Sequence, residues 1–379
     1  MKICFVINEC DFFYSHRFDL AKKLLSIAEV IVLTDYTNTD KKIIKEINSA
    51  GIMLHMIKKR ASQKGLSGFI RYFFRLKKAI KLIKPSSIFF VTLEISLLGI
   101  LVSKFSKKIN YFYLVTGFGP FFFKQNLKNK FLYLVYKCIF MLANFKKNSK
   151  FIFQNIEDMD IFINRGFSSK INSILIHGSG INIKQMRFHQ RSESEPVSFL
   201  FASRLVNAKG LNEFFLASES LKKDYPEISI NIVGKYDVND PDRISDELFS
   251  KIKNVSHINY LGEIDFDAMK DFLSKYTVFV LPSHGEGLPK SAIEAAASGM
   301  PLILSSASGC KECIINRKNG LLVETKNVNS LKDAMEWMIL NKKTVPKMSI
   351  ASRSLIEDKF CLEKIYLEYE NIIINRKQV

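Results

Sequence analysis

The sequence holds little that could fix a metal, staple a secreted fold or span a bilayer, and each shortage closes off a class of protein. Its six cysteines (Cys4, Cys10, Cys138, Cys310, Cys313 and Cys361) are scattered through strand-like and helical text, which does not read as a disulfide framework. Cys310 and Cys313 form a C-x-x-C, but there is no second ligand pair for zinc and no thioredoxin-like βαβ start beside them, so they read as ordinary packed or surface thiols. No D-x-D type of metal motif is evident. Asp237, Asp240 and Asp242 crowd into KYDVNDPDR, a proline-containing stretch that reads as an exposed turn rather than a cation site. The apolar run after Lys2 stops before Glu9 and Asp11, too short for a secretory leader, and predicts a protein that stays in the cytoplasm. Residues 88–102 form the most apolar run, but it is short, carries Glu94 and begins as a strand, so a buried strand followed by a helix is expected.

Acidic residues are scarce in one half only. The formal net charge is +19, with 31 Lys and Arg against 11 Asp and Glu in residues 1–190, and 25 against 26 in the remainder. Between Lys58 and Lys150 there are 20 basic residues and one acid, Glu94, interleaved with aromatics such as Phe69, Phe73, Phe74, Phe105 and Phe121 to Phe123. A compositional bias of the genome would act on both halves alike. A basic, aromatic face confined to one half points instead to an anionic membrane surface, where each well-placed cation contributes about 1 kcal/mol. Nucleic acid is the competing polyanion, but no nucleic-acid-binding module is recognisable.

At 379 residues, 47% apolar and 25% charged, the chain has the composition of an ordinary folded protein and the length of two domains rather than one core. Short β-rich runs alternate with helical text: 2–8, 29–35, 51–57, 86–92, 109–115 and 150–155, then 197–203, 228–234, 257–262, 277–283, 301–306 and 320–325. Continuous apolar strands of this kind belong to parallel sheets covered by helices on both faces. The expectation is α/β, with two Rossmann-like, doubly wound domains, residues 1–187 and 195–361, facing each other across a cleft. The polar stretch KQMRFHQRSESEP at 184–196 reads as the linker between them.

In such sheets ligands bind beyond the carboxyl ends of the strands, so the residues after each strand come first. After 277–283 comes HGEGLPKSAIEAAASGMP, with Glu286 in a loop and Glu294 early in a helix opened by Pro289. Both carboxylates can accept hydrogen bonds from sugar hydroxyls, and the helix start between them offers N–H groups to a diphosphate. After 197–203 come Arg204 and Lys209, cations suited to a leaving diphosphate without a metal, and Gly210 for a tight entry to the next helix. The first strand ends in NECDFFYSHR, which places Ser15, His16 and Arg17 in a loop or first helical turn.

With these residues assembled, the chain resembles glycosyltransferase family 4, and within it the bacterial capsular and O-antigen transferases that act on polyprenyl-diphosphate-linked saccharides. The likeness rests on SHR at 15–17, VTGFG at 115–119, FQN at 153–155, GSG at 178–180, SRLVNAKG at 203–210, the 282–301 segment, GCKE at 309–312 and NGLLV at 319–323. It implies the GT-B fold, with a C-terminal helix at about 362–379 crossing back onto the first domain. By the same likeness Arg204 and Lys209 hold the donor diphosphate, Glu294 the ribose and Glu286 the donor hexose, with Gly287 and Leu288 assisting through backbone N–H groups. His16 would stand near the reacting carbon or acceptor, and Ser15, Arg17, Thr116 and Gly117 would line the first domain's side of the cleft. The resemblance further implies a metal-independent, retaining reaction with no resident cofactor, a UDP-sugar donor, a lipid-linked saccharide acceptor and a peripheral place on the inner face of the cell membrane. Two departures stand out: Asn8 to Phe13 lacks the Gly-Gly loop of many members, and Thr116 to Gly119 replaces a histidine found in other branches. A nucleotide-sugar 2-epimerase of the same architecture, or a non-catalytic basic protein binding RNA or anionic lipid, remain alternatives.

Overall fold

The computed structural model describes residues 1–58, 66–106, 108–117, 127–144 and 146–375. It divides into two compact units, residues 1–180 with 362–379, and residues 181–361.

The first unit is built from β1 (Lys2–Glu9), α1 (Cys10–Leu24), β2 (Glu29–Asp35), α2 (Lys41–Ser49), β3 (Met53–Met56), α3 (Leu66–Ile83), β4 (Ser87–Val91), α4 (Leu93–Ser103), β5 (Asn110–Val115), α5 (Leu127–Asn144), β6 (Ser149–Phe153), α6 (Ile156–Asn164) and β7 (Ser173–Leu175). The second contains β8 (Ser198–Ala202), α7 (Leu211–Asp224), β9 (Ser229–Val233), α8 (Asp246–Asn254), β10 (Asn259–Tyr260), α9 (Phe266–Phe272), β11 (Val278–Leu281), α10 (Lys290–Ala297), β12 (Leu302–Ser305), β13 (Gly320–Val323), α11 (Val328–Leu340) and α12 (Val345–Lys359); α13 (Leu362–Ile374) rejoins the first. Both sheets are parallel, in the orders β3-β2-β1-β4-β5-β6-β7 and β10-β9-β8-β11-β12-β13, so the doubly wound α/β expectation holds.

The abundance of phenylalanine has a structural use. Phe5, Phe89 and Phe112 are register partners on β1, β4 and β5. Their rings stack with centroids 5.1 and 4.5 Å apart, filling one face of the first sheet with a cross-strand aromatic ladder. Tyr369 of α13 closes that ladder, 5.7 Å from Phe89. Its hydroxyl accepts from Arg17 at 3.3 Å and donates to the Gly178 carbonyl at 3.2 Å, which ties the C-terminal helix to α1. Asn155, the last residue of the FQN string, caps α6 by accepting the Asp158 N–H at 2.7 Å.

Two features differ from the sequence expectation. Residues 184–196 do not form a free linker. Arg191 within them is 1% exposed, and its guanidinium donates to the carbonyls of Tyr276, Leu273, Ser298 and His189, stitching the segment into the second unit. A buried cation is tolerated because carbonyl dipoles replace its water. The strand β7, three half-buried residues at the edge of the sheet, lies outside the runs expected from the sequence.

Among the described residues no helix is long and apolar enough to cross a membrane. The residues 88–102 form β4 and most of α4, as the strand-then-helix reading required. Phe121 to Phe123, and the last four residues of the expected 362–379 helix, lie outside the described residues.

Candidate functional site

In the second sheet the connections of β8 and β11 leave in opposite directions, which opens a crevice beyond their carboxyl ends. Everything proposed from the sequence for this unit falls at or beside those two ends. The segment after β8 makes a short helical turn at Asn207–Lys209 and enters α7 through Gly210 at φ +71°. The loop after β11 crosses directly over it. A Cβ on Gly210 would lie 2.1 Å from the Pro282 carbonyl oxygen, so the two chains approach as closely as they do because that residue has no side chain.

Lys209 and Glu286 meet in this crossing, Nζ to Oε1 at 2.5 Å, with side chains only 20% and 10% exposed. The structure thus brings a cation and a carboxylate from two strand ends together across the switch point. Arg204 stands at the same strand end, but its side chain is 70% exposed and pairs with Asp240 at 2.8 Å. Glu294 lies on α10, whose N-cap is Pro289, and pairs with Lys290 at 3.5 Å. Gly287 follows Glu286 in the loop, its carbonyl against Gly309, and Leu288 packs on the hydrophobic core of this unit. Asp237, Asp240 and Asp242 serve the turn. They accept from the backbone N–H groups of Asn239, Asp242 and Ala208 respectively. Among the described residues no group of three or more His, Cys, Asp or Glu side chains is placed to hold a metal ion.

A residue pair that the sequence reading passed over ties the same loop down. Glu213, in the first turn of α7, meets His284 at 2.9 Å, Oε1 to Nε2. The histidine stood in the HGEG string, but nothing sequential pointed to a partner 71 residues earlier. Burial alone would raise the Glu213 carboxyl; the bond from His284, Glu213's own backbone N–H and the electrostatic pull of His284 and Lys326 outweigh it and hold the group below its ordinary value. A carboxyl depressed in the folded state stabilises the fold above its unfolded pKa, and that contribution is lost as pH falls through the folded value. Glu213→Gln is therefore expected to flatten the acid limb of the melting temperature, measured by calorimetry between about pH 6 and pH 3.

In the first unit the switch point lies between β1 and β4. The expected loop after β1 is missing, because α1 starts at Cys10 directly after Glu9, which places His16 and Arg17 in the second helical turn. His16 is half-buried, stacked on Phe12 with centroids 4.1 Å apart, and its Nδ1 lies 2.7 Å from Ser15 Oγ. Ser15 Oγ itself donates to the Asp11 carbonyl at 2.8 Å. Ser179, in the GSG string, donates to the His16 carbonyl. Arg17, expected to line a cleft, is 2% exposed and directed at Tyr369, where it ties α1 to α13. Thr116 and Gly117 follow β5, Gly117 at φ +122°, while Phe118 and Gly119 of the VTGFG string lie outside the described residues.

Comparison with known proteins matches residues 2–155 to the family described as Glycosyl transferase 4-like, and residues 182–355 to Glycosyl transferases group 1. The chain is 28% identical to the N,N'-diacetylbacillosaminyl-diphospho-undecaprenol alpha-1,3-N-acetylgalactosaminyltransferase of Campylobacter jejuni, over 99% of this chain and 100% of that protein. It is 36% identical to the O-antigen biosynthesis glycosyltransferase WbnH of Escherichia coli over 33% of this chain and 32% of that one. Among solved structures, the sucrose-phosphate synthase of Thermosynechococcus elongatus superposes with a TM-score of 0.79 at 17% identity, covering 100% of this chain and 98% of that one. HepE of Anabaena, solved in complex with UDP and glucose, gives 0.79 at 16% identity over 99% and 100%. At these identities the structures establish the GT-B fold.

Proposed function

The chain belongs to the glycosyltransferases that join a 4-like first domain to a group 1 second domain, and from this premise we propose that it transfers a hexose or N-acetylhexosamine from a UDP-sugar to a polyprenyl-diphosphate-linked saccharide. The observation that carries the reading is the Lys209–Glu286 contact at the β8/β11 switch point. In this reading Lys209 and Arg204 take the diphosphate, Glu286 the hexose and Glu294 the ribose. Supporting it are a full-length relative whose name specifies a diphospho-undecaprenol acceptor and a structural neighbour holding UDP.

The reaction proposed retains anomeric configuration and uses no metal. An acceptor hydroxyl oxygen bonds to the anomeric carbon on the face that the diphosphate leaves. The bond from that carbon to the phosphate oxygen breaks, its electron pair staying on the nucleoside diphosphate, and the leaving oxygen takes the hydroxyl proton. Lys209 beside that oxygen stabilises the charge as it develops. The assay is transfer of radiolabelled sugar from a panel of UDP- and GDP-sugars to extracted lipid carrier, with and without chelator. Label in the lipid fraction that persists with chelator supports the reading, and label from no donor sinks it. The rival epimerase is exposed by UDP-N-acetylglucosamine supplied alone, which an epimerase converts and a transferase leaves largely intact.

The proposal includes a peripheral place on the inner face of the membrane. The helix α3 carries Arg71, Arg75, Lys77, Lys78 and Lys81 with no acid. It also exposes Phe69, Ile70, Phe74 and Leu82, beside an exposed Phe105 whose ring lies 3.5 Å beneath the Lys77 ammonium. Exposed aromatics set among cations suit an anionic interface, the rings entering the headgroup layer and the charges meeting phosphate. Phe74→Glu with Phe105→Glu is expected to lower flotation with phosphatidylglycerol vesicles by at least about tenfold, since two apolar anchors are replaced by repelled charges. Undiminished flotation removes α3 from the account.

A further inference from the structure

We propose that Glu213 is a positioning residue for the transfer reaction, acting through His284 to keep the 282–288 loop seated while the donor occupies Lys209 and Glu286. The inference rests on the donor-site reading given above.

The loop that carries Glu286 has no regular structure and is held by discrete ties to the segment between β8 and α7. Two converge on one carbonyl: the His284 N–H donates to Ala208 O at 2.8 Å and Ser283 Oγ donates to the same oxygen at 2.9 Å. From beneath, Ser305 Oγ donates to the Ser283 carbonyl. Two more ties join side chain to side chain, Lys209 to Glu286 and Glu213 to His284. The first of these is the one a donor takes over, because a diphosphate competes for the ammonium and a sugar hydroxyl for the carboxylate. The loop therefore loses one of its side-chain clamps at the moment when Glu286 has to be held in place.

The second clamp is built for that moment. The Glu213 and His284 side chains are 12% and 24% exposed, so water competes poorly for their bond. A carboxylate accepts only, so the imidazole donates from Nε2, which fixes the ring's orientation. His284 is two residues from Glu286, and Glu213 sits on the rigid first turn of α7, three residues beyond the Gly210 crossing. Catalytic carboxylates lose effectiveness with displacements of about 1 Å, so release of this clamp is expected to act on turnover more than on nucleotide binding.

The test uses the full chain and whichever UDP-sugar the wild type transfers, with UDP alone as the binding probe. Glu213→Ala is expected to lower kcat at least about tenfold while the calorimetric Kd for UDP stays within about twofold. Glu213→Gln keeps an acceptor oxygen and is expected to lose only about threefold. His284→Ala should resemble Glu213→Ala, and the double variant should be no worse than the poorer single, because the two act as one unit. Thermal melts accompany each variant; if Glu213→Ala does not fold, Glu213→Gln and His284→Asn replace the alanine variants in the cycle. Losses that multiply in the double variant, singles within twofold of wild type, or UDP affinity falling in step with kcat would each overturn the proposal. A wild type that transfers no sugar sinks the functional reading with it, whereas an active wild type with indifferent variants sinks this inference alone.

Discussion

Lys209→Met is expected to lower kcat/KM at least about 100-fold, the loss typical of deleting one stabiliser of developing negative charge. It should also destabilise the protein, because Glu286 would remain as a carboxylate only 10% exposed with its partner gone. For a partly buried pair that penalty is about 1 to 3 kcal/mol, less than the full cost of breaking a deeply buried bridge. The decisive variant is the double, Lys209→Met with Glu286→Gln. Removing both charges removes the orphan, so the melting temperature should recover most of what the single change lost, while the rate should not recover at all. Stability and activity are then read from the same two proteins by calorimetry and by steady-state kinetics. If the double variant regains the rate along with the stability, the pair is scaffold and its place at the switch point is incidental.

All the strands but β7 were legible in the sequence, because each lies in a short apolar run of the kind a two-sided helical cover demands. The pairing of Phe5, Phe89 and Phe112 follows from parallel register once the strand order is known. That order depends on connections that no local pattern encodes. The same limit separates what could be seen of the site from what could not. Lys209, Glu286 and Glu294 stand out because they follow strands, and strand ends are visible in one dimension. The contact between Lys209 and Glu286 spans 77 residues and the one between Glu213 and His284 spans 71, so both needed the fold. Arg17 misled for a related reason. It follows a strand closely, but helix α1 begins without a loop, and the second-turn position turns the guanidinium toward Tyr369, 352 residues away. Arg191 misled in the other direction, since a charged residue in a polar stretch with a nearby proline reads as linker. Only the assembled unit shows four carbonyls waiting for its guanidinium.

Gly210→Ala is expected to damage the fold through two separate costs. The residue has φ +71°, a conformation that any Cβ strains, and the added carbon would lie 2.1 Å from the Pro282 carbonyl oxygen and 2.8 Å from its carbon. Those atoms are backbone, at the end of β11, and cannot swing aside as a long side chain would. Gly262 separates the two costs. It has nearly the same φ, +73°, but nothing lies within 4 Å of its would-be Cβ. Gly262→Ala should therefore show the conformational penalty alone, about 1 kcal/mol. Gly210→Ala should add overpacking against fixed backbone and reach about 3 kcal/mol or more. In a unit of this size that corresponds to a fall of roughly 6 to 12 °C in Tm for Gly210→Ala, against 2 to 4 °C for Gly262→Ala. Because the crossing also sets where Lys209 meets Glu286, any folded Gly210→Ala protein should have lost transfer activity out of proportion to its stability. Gly262→Ala, which touches no part of that crossing, should keep the two in step. Equal melting temperatures for the two variants would mean that the loop after β11 does not cross Gly210 as closely as the structure has it.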